Sequence, residues 1–328
     1  MLCDTSWVWS QYDHQLFLNT VVGPGGDSTV LRLKHPATGA DTGRGLAVTA
    51  DGNHRWCAVD PRRGTALTVA EAALNLACGG GRPLALVNCL NFGNPEHAEV
   101  MWQFSEAVDG MTEACEALDI PVVGGNVSFY NESRGSDIDP TPVVGLLGVV
   151  DRLDHRPPGV TLVEGGGCCS SATPSPSSTG RCGRNRGHRT GTLPTIDWAD
   201  HAAVCAAVRS LVLGDLLWGV HDVASGGLGL ALAELAVRSG IGVQVARVPD
   251  AATLFSESPS RAVLCVDPER LTTVEQTLEA AGVSATRIGV AAGDRISVKG
   301  LVDVALADAT AAYRDRLPEA VGAGTTQG

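Results

Sequence analysis

Little in this sequence would tie it to a membrane, an export route or a nucleic acid. It contains no run of about 18 apolar residues, the length needed to span a hydrocarbon core, and Met1-Leu2-Cys3-Asp4 lacks the charged and apolar regions of a signal peptide. Positive charge is in deficit: 24 lysines and arginines against 36 acids leave a net charge of -12, which argues against binding a nucleic-acid backbone by bulk electrostatics. The ten cysteines include no CxxC pair and no suitably spaced histidine, so Cys168-Cys169 and Cys182 gain no support as a metal cluster. Without a secretory signal, most cysteines, among them Cys57, Cys89, Cys115 and Cys265, read as small buried hydrophobes, and no disulfide is expected. A cytoplasmic enzyme fits these exclusions best.

What is present is a chain of 328 residues, long enough for a good core and, on length alone, about two domains. Hydrophobic residues at 44%, aromatics at 4% and 40 glycines indicate an Ala/Val/Gly-rich α/β or α+β protein. The apolar pattern predicts strands at Leu16 to Val22, Thr29 to Leu33, Gly45 to Thr49 and Val143 to Val150, with helices at Thr65 to Ala77 and about Val100 to Leu118. On the second helix Met101, Phe104, Val108, Met111 and Cys115 form one stripe, expected to face the core. Asp151 to Gly159, with Pro157-Pro158, reads as a connector. Beyond it helices are expected at Asp200 to Leu213, Gly227 to Ser239 and Pro268 to Ala281, and a strand at Ala262 to Val266. The domains expected are therefore 1–151 and 152–320, with a disordered tail at 321–328.

One segment, 167–185, breaks the pattern. It is a low-complexity, Ser/Pro/Cys-rich run where a hydrophobic strand belongs. Read one nucleotide out of frame, it can yield a leucine-rich strand and a Gly-Asp turn, which points to a compensated frameshift; the alternative is a genuine flexible insertion. Cys168 to Arg184 is expected to be loop-like and the second domain to be the less stable.

The residues richest in chemistry lie in two polar clusters, each following an apolar run. Asn88-Cys89-Leu90-Asn91-Phe92-Gly93-Asn94-Pro95-Glu96 follows Leu84 to Val87, and Gly124-Gly125-Asn126-Val127-Ser128 follows Ile120 to Val123. Two strands delivering small polar residues to one sheet edge suit phosphate and metal. Asn126 offers a neutral oxygen ligand, Gly125 allows close approach of a nucleotide, and Ser128 offers a hydroxyl. The bland reading is a turn and a helix start. His221-Asp222 precedes Gly226-Gly227, and there a capping or structural role for Asp222 is favoured over metal binding; Glu257 is read the same way. Asp13-His14 and His54-Arg55 read as surface or satisfied residues, and Cys78 as structural.

These motifs carry a resemblance. Gln11-Tyr12-Asp13-His14, Asn88 to Glu96, Asp109-Gly110-Met111, Gly124 to Ser133, Pro140 to Gly145, His221 to Leu228 and Phe255-Ser256-Glu257-Ser258 together resemble the second half of the phosphoribosylformylglycinamidine synthase family, over nearly the whole chain. The resemblance implies a ferredoxin-like sheet domain followed by a carboxy-terminal domain of the aminoimidazole ribonucleotide synthetase type. It also implies an ATP-dependent ligase of purine synthesis that acts on formylglycinamide ribonucleotide, with ammonia from a glutaminase subunit and a small bridging subunit. On this basis Asn126 matches a Mg²⁺ ligand, Gly125 an ATP-contacting backbone and Ser128 a substrate contact. Asn88 stands where relatives carry an ATP-contacting aspartate. No residue here is expected to be catalytic, since the family's acid/base string of the Lys-x-Glu-Ser-His-Asn type is absent. The chain is therefore expected to be a fragment, inactive alone; the alternative is a noncatalytic nucleotide-binding module of the same superfamily.

Overall fold

The computed structural model describes residues 3–171 and 192–322. In chain order the first part runs α1 (Ser6–Trp9), β1 (Thr20–Val22), β2 (Thr29–Lys34), β3 (Asp41–Gly52), α2 (His54–Val59), α3 (Pro61–Cys78), β4 (Arg82–Asn91), α4 (Ala98–Ala117), β5 (Val122–Ser128), the short hairpin β6 (Glu132–Ser133) and β7 (Ser136–Asp137), and β8 (Thr141–Val150). The second part runs β9 (Gly167–Ser171), α5 (Trp198–Leu213), β10 (Gly219–Asp222), α6 (Gly227–Ser239), β11 (Val243–Val245), α7 (Ala251–Leu254), β12 (Ala262–Val266), α8 (Leu271–Ala280), β13 (Ala285–Ala291), β14 (Arg295–Val298), β15 (Val302–Ala305), α9 (Leu306–Arg314) and α10 (Arg316–Ala320). The fold is α+β. One sheet has the order β1-β2-β3-β8-β4-β5 and the other β10-β12-β9-β13-β11-β14-β15.

Local chemistry sets the helix starts. Asp60 accepts the Arg63 amide at 3.0 Å ahead of Pro61, whose missing N–H costs nothing at a first turn. Asp197 accepts the Asp200 amide in the same way ahead of α5. Leu16–Leu18, expected as strand, is instead a 3₁₀ turn with Phe17 and Leu18 at positive φ, and β1 starts only at Thr20.

Helices α3 and α4 cover one face of the first sheet. The other face is open: Val48 and Val87 remain 39% and 46% exposed on it. α3 is buried from Gly64 to Cys78 apart from Glu71, because its far side, through Leu74, Ala77 and Cys78, joins the core made by α5 and the second sheet. A helix enclosed on all sides shows no amphipathic stripe. The stripe expected on α4 is rotated: Val100, Ala107, Met111, Ala114 and Cys115 are buried, whereas Met101 and Val108 are 40% and 37% exposed. Gly110 explains the tilt, since a Cβ there would lie 2.0 Å from the Arg62 carbonyl oxygen. Gly110→Ala should therefore force α3 and α4 apart and cost about 1–3 kcal/mol, measured by urea unfolding; an unchanged midpoint would show that the helices can separate freely.

The loop expected over Cys168 to Arg184 does not hold for its first residues. Gly167–Ser171 is an interior strand of the second sheet, paired antiparallel with β12 and β13. Cys168 and Cys169 are compact and apolar enough for the cores on either face, and Ser171 is satisfied by accepting the Ala262 amide at 2.9 Å. The rest of that segment, with Cys182, and residues 323–328 of the tail lie outside the described residues.

Candidate functional site

The two polar clusters meet on neighbouring parallel strands. β4 and β5 pair with Asn88 opposite Gly125, Cys89 opposite Asn126 and Asn91 opposite Ser128. Side chains alternate along a strand, so Asn126 and Ser128 share the open face with Cys89 and Asn91. β5 is the edge strand and Asn126 is exposed. Asn88 is different. It leaves the sheet on the helix-covered face, donating to Met111 Sδ of α4 at 3.4 Å, so its side chain does not converge with that of Asn126 as expected.

Asn88 instead fixes its neighbour. A Cβ on Gly125 would stand 2.0 Å from Asn88 Oδ1, so the close approach of the two strands requires glycine there. Gly125→Ala should weaken the fold and Asn88→Gly should restore it, because the obstacle is a side-chain end. Equal midpoints for the single Gly125→Ala and the double variant in thermal melts would refute this.

The loops beyond the strands are tied together. Phe92 N–H donates to the Ser128 carbonyl at 2.9 Å, Tyr130 N–H to the Gly93 carbonyl at 2.8 Å, and the Asn131 amide to the Phe92 and Ser128 carbonyls, both at 2.9 Å. Phe104 of α4 stacks edge-on against Phe92 and Phe129, with ring centroids 5.4 and 5.3 Å apart. Asp137 accepts the Asn94 amide at 2.7 Å and pairs with His97 Nδ1 at 2.7 Å. The Asn94 bond, and then His97, hold its carboxyl below the usual range. Gly93 admits that carboxylate, since a Cβ would lie 2.4 Å from Asp137 Oδ1. The Asn-Phe-Gly-Asn motif thus builds a rigid rim beside Ser128.

A second constellation joins the two sheets. Asp27, from the β1–β2 turn, accepts the Asp222 amide at 3.2 Å and pairs with His221 Nδ1 at 2.7 Å; His221 Nε2 meets Glu234 Oε2 at 2.8 Å. Nearby, Asp51 accepts from Asn75 at 2.9 Å and from Thr49 at 2.8 Å. Glu71, Asp222 and Glu257 line a cavity of about 20 Å³ with Trp56 and His201, room for one water or cation. Burial, then the Asp27 charge, pushes Asp222 up to about 8 against the pull of His221. Burial lifts Asp51 to about 6, opposed by its bonds to Thr49 and Asn75. Glu71 is raised well above its ordinary value by burial and then by Asp222, Asp51, Glu257 and Asp27. His221 moves up: burial disfavours its charge, but Asp27 and Glu234 outweigh that and hold it as imidazolium.

So many carboxylates with one imidazolium leave negative charge uncompensated. Asn75 Oδ1 is buried beside Asp51 without a hydrogen-bond partner among the described residues. Asp27, His221 and Asp222 bring ligand atoms within 4.8 Å of one another. His221, held as imidazolium, cannot ligate, so a hard cation such as Mg²⁺ would be held by the oxygens of Asp27 and Asp222, with Asp51 and Glu71 adding negative charge nearby. Asp222 caps no helix, but the structural alternative read for it has a counterpart, its carboxylate lying 3.5 Å from His221 Nδ1. Glu257 also has a structural role, accepting the Gly226 amide at 2.9 Å at the start of α6 and Trp56 Nε1 at 3.2 Å.

Sequence reasoning passed over Asp27, Asp51, Glu71 and Asn75. The signal for two of them was there: Glu71 and Asn75, one turn apart, interrupt an otherwise apolar helix.

Comparison with known proteins agrees with this architecture. The model of the AIR synthase related protein N-terminal domain matches residues 25–150, and that of its C-terminal domain matches 189–300. The phosphoribosylformylglycinamidine synthase subunit PurL of Moorella thermoacetica is 42% identical over 97% of this chain, which spans 44% of that relative's length. The solved structure of T. maritima PurL complexed with FGAR superposes with a TM-score of 0.67 at 17% identity, covering 81% of this chain and 46% of that one. T. maritima PurL complexed with ATP gives 0.64 at 18%, covering 85% and 47%. Two AIR synthase related domains, and an identity of this order along nearly the whole chain, place the protein in the family of phosphoribosylformylglycinamidine synthase subunit PurL, of whose members it spans under half the length.

Proposed function

We propose that this chain supplies one wall of an ATP-dependent amidine-forming site. Joined to the part of the enzyme it does not span, it converts formylglycinamide ribonucleotide to formylglycinamidine ribonucleotide. The observation that carries this reading is the placement of Asn126 and Ser128 side by side on an open sheet face, beside the rim built by Asn91 to His97. ATP phosphorylates the substrate amide oxygen, and ammonia then displaces phosphate. Such chemistry demands positioning and charge neutralisation more than covalent help from the protein. Asn126 Oδ1 would hold Mg²⁺, which would supply neutralisation of phosphate charge. Gly125 offers backbone to the nucleotide, with Asn88 holding it in register, and the Ser128 hydroxyl contacts substrate. The open apolar face around Val48 and Val87 is where the complementary half packs. Ammonia comes from a glutaminase subunit, with a small bridging subunit completing the assembly.

The test is to combine the chain with the complementary half of the Moorella thermoacetica relative and follow phosphate release with ATP, formylglycinamide ribonucleotide and an ammonium salt as the nitrogen donor. Turnover is expected only with both pieces and the nucleotide substrate present. A folded, associated pair without turnover would sink the reading.

The acidic constellation supports a second role, since it is complete within this chain: Mg²⁺-nucleotide binding without turnover. Calorimetric titration of the chain with ADP should show binding that requires Mg²⁺ and is lost in Asp222→Asn. Binding unaffected by chelator would remove the metal from this site.

A further inference from the structure

β9 and β12 bring two thiols face to face. Cys168 stands opposite Cys265 in the antiparallel register, and both are fully buried in the same core. The Cys265 carbonyl accepts the Trp218 amide at 2.9 Å, so the backbone polar groups of Cys265 point toward β10 and away from β9. The Cys168–Cys265 pair is therefore a non-hydrogen-bonded one, in which Cα atoms approach to about 4.5 Å and side chains lie closest. That separation falls within the span of a disulfide. Cys169 points to the opposite core and does not compete.

We propose that Cys168 and Cys265 form a cross-strand redox pair, convertible to a disulfide by a small-molecule disulfide. One thiolate attacks the oxidant, forming a mixed disulfide and releasing one small thiol. The second cysteine then attacks the protein sulfur of that mixed disulfide and releases the other. Two electrons pass to the oxidant, and the two thiol protons end on the released small thiols. Burial pushes Cys168 up to about 12 and raises Cys265, so the reactive thiolate forms only when β9 and β12 part. Oxidation is thus gated by local opening, and the bond, once made, locks β9 to β12 within the sheet.

The experiment uses the full chain and oxidised glutathione, with the crosslink mapped by digestion and mass spectrometry without reductant. A Cys168–Cys265 peptide is expected, forming at a rate that levels off with oxidant concentration, and the thermal midpoint should rise by roughly 5 °C or more. Cys169→Ser should keep both effects; Cys265→Ala should lose them. A second arm refolds the chain from urea in the same oxidant, which removes the access barrier. A Cys168–Cys169 link, glutathione adducts alone, or no crosslink after refolding would each overturn the proposal.

Discussion

Replacing Asn126 by alanine in the reassembled enzyme should lower kcat by roughly 10²–10³-fold, the usual cost of removing one group that stabilises transition-state charge. The side chain lies exposed on an edge strand, so its loss leaves no buried cavity, and the melting temperature of the chain should stay within a degree or two. His221→Ala should give the opposite profile. It strips the buried Asp27 carboxylate, and the partly exposed Glu234, of their common cation, a change that typically costs about 3 kcal/mol of stability, while any enzyme that stays folded keeps most of its turnover. Phosphate-release assays and thermal melts on both variants separate the two effects. Full turnover in Asn126→Ala would withdraw the metal-ligand assignment.

The acidic constellation leads to an expected pH profile of comparable size. Asp51 and Asp222 titrate near 6 and 8 in the folded protein, both above their unfolded value of 3.8, and Glu71 is also raised. The folded state therefore binds more protons than the unfolded chain between about pH 4 and 8, and stability falls as pH rises through that window. His221, raised well above 6.5, contributes stability that is lost as pH rises from 6.5 through its elevated value, so it reinforces the trend. Without divalent cation the thermal midpoint should decline steadily from pH 6 to 8.5, a loss on the order of a few kcal/mol. Millimolar Mg²⁺ should flatten the decline, because a cation that binds only the folded state stabilises it by mass action. A midpoint that climbs over this range without metal, or one indifferent to Mg²⁺, would contradict the charge imbalance inferred for the cluster.

Much of the fold was legible because periodicity reports local burial. Gly227 to Ser239 and Ala262 to Val266 were read at the limits they have in the structure, since each has an apolar pattern on its own segment and a glycine or turn at its ends. The family resemblance was legible in Asn91 to Glu96 and Gly124 to Ser128, whose local geometry, once seen, explains the motif residues: Gly93 admits Asp137 and Gly125 admits Asn88. Where the reading went astray, the cause was a neighbour distant in sequence. The α4 stripe is rotated because Gly110 lies against Arg62, and Cys168 to Ser171 form a strand because β12 and β13 flank them on both sides.

The sequence by itself determined the type of most elements, the α+β class and the family, because these rest on residue pattern over short windows. Only the tertiary structure decided which polar side chains share a site. Asn88 and Asn126 look equivalent in the text, yet the β4–β5 register sends them to opposite faces. Asp27, Asp51, Glu71 and Asp222 lie far apart in the chain and converge only because α3 is clamped between the two sheets. A carboxylate's charge state depends on what is packed around it, and packing is set by contacts that no local pattern encodes.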